Sequence, residues 1–220
     1  MKFKSVLLIL FILLCISNIG CGQNSSVSAY SNKRYQDYKS NFEEKFTIHF
    51  PAKISDSKPR DVVFSARDDK KNDFSLILYE YDVPSQNLKD IRRGIKNACI
   101  ATYRTSDPCL FIVNRFETRE TIESYSYPNI DSTLLNKACY KDKYPIPNFV
   151  NYEEYKEAEK SVLDDSFTIY ILESKKVNSW EKEFNMGPAA QMPDIWKNGY
   201  SRGIALSEEK RTVIYWTVIW

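Results

Sequence analysis

Apolar and polar residues along the chain alternate in ways that predict a mixed set of elements. Phe46, Ile48 and Phe50 alternate with Thr47 and His49, a period of two that reads as a strand ending at Pro51. Asp61 to Arg67 and Phe74 to Tyr81 are further β-rich runs, joined by the polar Asp68-Asp69-Lys70-Lys71-Asn72. Behind Pro84-Ser85 the period changes: Leu88, Ile91, Ile95, Ala98 and Thr102 fall on one helical face, predicting a helix to about Tyr103. Cys109 to Phe116 reads as a fourth strand. Asn151 with Glu154 makes a capping-box-like start to a helix through Leu163. Ser166 to Ser174 is the fifth strand.

The C-terminus predicts a hairpin, Tyr200 to Ser207 and Arg211 to Trp220, around Glu208-Glu209-Lys210. Its last run, Val213-Ile214-Tyr215-Trp216-Thr217-Val218-Ile219-Trp220, is apolar at odd and even positions alike. Such a strand belongs in the middle of a sheet covered on both faces. The order predicts an α+β single domain: a mostly antiparallel sheet of about six strands with two main helices packed on it.

The N-terminus has a different pattern. Lys2 and Lys4 precede an unbroken apolar run from Val6 to Ile16, too short to span a bilayer, then Ser17-Asn18-Ile19-Gly20 and Cys21. A cysteine directly behind such a leader resembles the bacterial lipoprotein signal. The resemblance covers residues 1–21. It implies removal of residues 1–20 and acylation of Cys21, an anchor to the membrane stronger than a single acyl chain provides. With Gly22 rather than Asp in the next position, it also implies the outer membrane of the cell envelope. Residues 21–40 are rich in Ser, Asn and Gln without an apolar period and read as a flexible tether. The globular domain is then expected over residues 41–220.

Charge narrows the partners. Lys plus Arg total 31 and Asp plus Glu 29, and the two leader lysines account for the whole excess. A neutral mature chain argues against nucleic-acid binding, which draws on surplus basic residues to neutralise phosphates.

Candidate chemistry is sparse. Behind the leader stand Cys99, Cys109 and Cys139, and an exported domain favours one disulfide with one thiol left over. Cys109–Cys139 is the preferred pair and Cys99–Cys109 the next. His49, the sole histidine, reads as a solvated strand residue. No CxxC, HExxH, GxSxG or phosphate-binding glycine loop is present, so no cofactor, metal or catalytic residue is assigned. Acid pairs such as Asp68-Asp69, Glu80 with Asp82, and Asp164-Asp165 read as turn and cap residues. Lys89, Arg92, Arg93 and Lys96 form a basic stripe that reads as a solvated helix face.

The long connection Lys175 to Asn198 carries Trp180, Phe184, Met192 and Trp196. Long loops in compact domains are often functional, and rigid aromatics make good contact anchors. These four are therefore the candidate binding residues, against the plainer expectation that they fold back onto the core. The function expected is a non-enzymatic envelope lipoprotein that binds a protein partner or assists assembly. Glycan binding at the cell surface is the second expectation, and a carboxylate-dependent hydrolase the third.

Overall fold

The structure, a computed structural model, describes residues 24–54, 60–65, 73–116, 130–149 and 163–220. Six strands form one sheet: β1 (Arg60–Ser65), β2 (Phe74–Glu80), β3 (Ala101–Arg104), β4 (Thr168–Lys176), β5 (Gly199–Ser207) and β6 (Thr212–Ile219). Their order is β1-β2-β6-β5-β4-β3, and every neighbouring pair is antiparallel. The helices are α1 (Asn24–Lys39), α2 (Glu44–Thr47), α3 (Ser85–Lys96), α4 (Ser132–Leu135) and α5 (Glu181–Phe184). Short 3-10 turns lie at Ala138–Tyr140 and Asp194–Trp196. The chain is an α+β domain, as the hydrophobic pattern predicts.

β6 is central, between β2 and β5, and all eight of its residues are buried. Its alternation divides the core in two. Val213, Tyr215 and Ile219 join one apolar cluster with Phe46, Leu78, Leu88 and Trp180 (face A). Ile214, Trp216 and Val218 join a second with Phe111, Ile146, Met192 and Trp220 (face B). Helical segments cover face A, and largely irregular chain covers face B.

Four local expectations differ from the structure. Phe46 to Phe50 is not a strand: α2 and the turn behind it bury Phe42, Phe46 and Phe50, four apart, and leave Ile48 64% exposed. The same phenylalanines satisfy a period of two and a period near 3.6, and Phe42 decides for the second. α3 stops at Lys96, where Ala98 and Cys99 both donate to the Ile95 carbonyl. Thr102 and Tyr103 instead enter β3, pairing with Tyr170 and Ile169 and satisfying backbone groups at the edge of β4.

Cys109 to Phe116 makes no ladder. Leu110 to Val113 are four consecutive buried residues on face B, held by one parallel bridge between Ile112 and Ile146. The expected tether is also different: α1 runs from Asn24 to Lys39, and Tyr35 is fully buried with its hydroxyl donating to the Pro51 carbonyl at 2.7 Å. Asn32 exchanges two hydrogen bonds with the Ile54 backbone, and Tyr38 stacks on Phe64. Tyrosines at 35 and 38 anchor a helix whose few apolar residues form no regular stripe, so no apolar period marks it. The helix expected over 151–163 lies outside the described residues up to position 162, as does the 68–72 connection.

Cys109 and Cys139 form a disulfide with Cα atoms 6.0 Å apart, and Cys99 is free. The bond ties the face B segment to the Ala138–Tyr140 turn.

Candidate functional site

The aromatic connection between β4 and β5 is core. Trp180, Phe184, Met192 and Trp196 are each at most 7% exposed. Trp180 and Phe184 pack on face A beside Phe46, with Trp180 Nε1–H donating to the Gly199 carbonyl at 3.0 Å. Met192 and Trp196 pack on face B, and Trp220 Nε1–H donates to the Trp196 carbonyl at 2.7 Å. The connection thus supplies both cores and presents no shared aromatic platform. Of its apolar residues Ile195 is exposed, at 61%. The four candidate binding residues are therefore corrected to structural ones, because the two sheet faces need large apolar side chains at the strand ends.

What the structure assembles instead is a lysine-rimmed cleft of about 520 Å³ between the segment after the Ala138–Tyr140 turn and the end of β4. Lys141, Lys143, Lys175 and Lys176 line it, with Asp142, Tyr144, Ser174 and the Trp196 region. A bulge positions the β4 part. Ile169 and Ile171 face side B, and strict alternation would send Glu173 and Lys175 there too. The register shift between Ile171 and Glu173 reverses the phase, so Ser174 and Lys176 take side B.

The lysines differ in state. Lys143 pairs with Asp107 at 2.6 Å, which holds that carboxyl below its ordinary range. Lys175 pairs with Glu173 at 2.5 Å. The Lys176 ammonium stands 4.9 Å from the Trp196 ring centre. Lys141 and Lys176 have no carboxylate partner among the described residues. The Ser174 hydroxyl is buried with no hydrogen-bond partner.

On the opposite side of β4 and β5 lies a polar network. Glu173 accepts from Tyr200 Oη at 2.8 Å and from Arg202 Nε at 3.0 Å. Burial opposes its ionisation, but hydrogen bonds from Lys175, Tyr200 and Arg202 outweigh that and bring the carboxyl down to about 2. Arg202 Nη1 donates to His49 Nδ1 at 3.4 Å, while His49 Nε2–H donates to the Trp216 carbonyl at 3.0 Å. Burial, then the Arg202 charge, push this imidazole down to about 3. His49 is thus a neutral, half-buried connector behind a helical turn and not a solvated strand residue.

Neither the cleft nor the network is visible as a motif. The signals present are the Lys141-Asp142-Lys143 and Lys175-Lys176 runs, and Arg202 inside an otherwise apolar strand. Among the described residues no three or more His, Cys, Asp and Glu converge as metal ligands, and no helix is long and apolar enough to cross a membrane. Cys21 lies outside the described residues. No protein-family model, curated protein or solved structure matches the chain.

Proposed function

We propose that the chain is a lipid-tethered cell-envelope protein, acylated at Cys21 and held at the outer membrane, whose α+β domain is a non-enzymatic binding module. The observation that carries the binding role is the lysine-rimmed cleft, a concave surface with two ammonium groups left for a ligand. Burial of Trp180 and Trp196 removes the exposed anchors on which a protein interface through the aromatic loop depended. The cleft favours instead the second expectation, a surface glycan.

α1 supports a particular attachment. It starts at Asn24, three positions after Cys21, and Tyr35 lies about 17 Å farther along it at 1.5 Å per residue. The domain then stands off the headgroups on a helical arm in place of a flexible chain.

Two measurements test the proposal. Cells fed an alkyne-bearing fatty acid label the wild-type protein and leave Cys21→Ala unlabelled; equal labelling of both overturns the anchor. A photo-crosslinking amino acid at position 141, compared with position 89 on α3, yields envelope adducts at 141 alone. Adducts at neither position, or equally at both, overturn the cleft as the binding face.

A further inference from the structure

We propose that the cleft binds an acidic saccharide, a uronate-containing oligosaccharide of the envelope or its surroundings, with sugar carboxylates held by Lys141 and Lys176. This rests on the cleft being the domain's binding face.

The lining selects for charge first. Three lysines and one aspartate face the same space: Lys143 is already matched by Asp107, while the Lys175 ammonium turns to Glu173 on the opposite side of the sheet. The remaining two, Lys141 and Lys176, attract an anion and make charge-assisted hydrogen bonds to it. Size selects next. A volume of about 520 Å³ is within the range of pockets for small organic ligands, well beyond what a lone phosphate or sulfate fills. The rest of the lining suits hydroxyl-rich rings. Exposed Asp142 accepts hydrogen bonds, and half-buried Tyr144 adds an aromatic ring to the lining. An acyl chain finds too many polar groups here. A nucleic-acid strand asks for a longer basic track than a chain with 31 basic and 29 acidic residues presents.

The test titrates the purified mature domain with short oligogalacturonates and mannuronate–guluronate oligomers, and with the carboxyl-reduced neutral oligomers of the same linkages. Inorganic phosphate serves as the simple anion. At least one uronate series binds, its neutral counterpart does not, and high salt weakens the complex. Lys141→Glu with Lys176→Glu reduces affinity at least about tenfold, while Lys89→Glu with Lys96→Glu on α3 leaves it unchanged. Melting temperatures of both double variants stay at the wild-type value, which separates lost binding from lost folding.

Equal binding of neutral oligomers, phosphate matching the uronates, or failure of every uronate overturns the ligand class. If all saccharides fail while position 141 still crosslinks specifically, the binding module stands and the saccharide assignment falls. If both fail, the cleft is not a binding face.

Discussion

Gly203 lies directly against Trp216. The two are paired across β5 and β6, and a Cβ on Gly203 would come within 2.5 Å of Trp216 Cζ2 and still closer to the Tyr170 carbonyl oxygen. Glycine is required here by the close approach of the Tyr170 carbonyl and the Trp216 indole, not by an unusual backbone angle. Gly199 repeats the arrangement with Trp220, whose Cζ2 stands 2.7 Å from the same construction.

Gly203→Ala therefore destabilises the domain by about 2–3 kcal/mol, the cost of forcing a methyl group into a filled core. Urea unfolding measures it. A loss below about 0.5 kcal/mol shows that both the indole and the neighbouring strand give way freely.

His49 makes stability depend on pH between about 5 and 7, a range above the ordinary carboxylates in which it is the one histidine to titrate. Its ordinary value of 6.5 falls to about 3 in the fold. Between those values the unfolded chain binds a proton that the folded chain refuses. The contribution of His49 is thus complete above pH 6.5 and declines as pH falls, by at most about 1.4 kcal/mol per unit, with the depressed carboxyls of Glu173 and Asp107 adding their own loss only below about pH 4.5. Unfolding free energies at pH 7 and pH 5 give the slope. His49→Gln keeps a donor to the Trp216 carbonyl and flattens it; an unchanged slope assigns the proton elsewhere.

Cys109–Cys139 closes a sequence separation of 30 residues. Replacing both by serine lowers stability by about 3–4 kcal/mol on the chain-entropy estimate. Thiol labelling of the unreduced mature domain then finds Cys99 as the reactive cysteine of the three in residues 99–139. Labelling at Cys109 or Cys139 without reductant contradicts the pairing.

Trp180→Ala and Trp196→Ala each cost about 3–5 kcal/mol, as truncations of buried aromatics do. Each also leaves a neighbour changed: Trp180 no longer donates to the Gly199 carbonyl, and Trp196 no longer packs against Trp220. In the folded fraction of Trp180→Ala, which lies on face A away from the cleft, uronate affinity stays within about threefold of wild type, whereas Trp196→Ala also removes the ring beside Lys176. A selective loss of affinity in Trp180→Ala returns that part of the aromatic loop to the binding surface.

By itself the sequence determined the fold class and the place of the strongest element. β6 is legible because a run apolar on both faces, Val213 to Trp220 with Thr217 the one polar position, belongs between two covered faces. The β1–β2 and β5–β6 hairpins are legible for a related reason: their partners are neighbours in the chain, so local pattern and turn composition suffice. The preferred cysteine pair, placed by element edges, is the pair the structure joins.

Tertiary structure decided the rest. Phe46 and Phe50 carry a pattern that two kinds of element satisfy, and the helical turn is fixed where Phe42 and Phe46 are buried together, Phe46 against Trp180 and Tyr200. Thr102 has helical spacing, yet the open edge of β4 draws it into a strand. Trp180 and Trp196 look alike as loop aromatics, but they serve opposite faces of the sheet. The cleft depends on a bulge at Leu172 and on a disulfide that brings residues near 140 under the end of β4. Contacts between residues more than thirty positions apart leave no period in the chain, because the side chains that meet are chosen by the sheet's geometry and not by their neighbours in sequence.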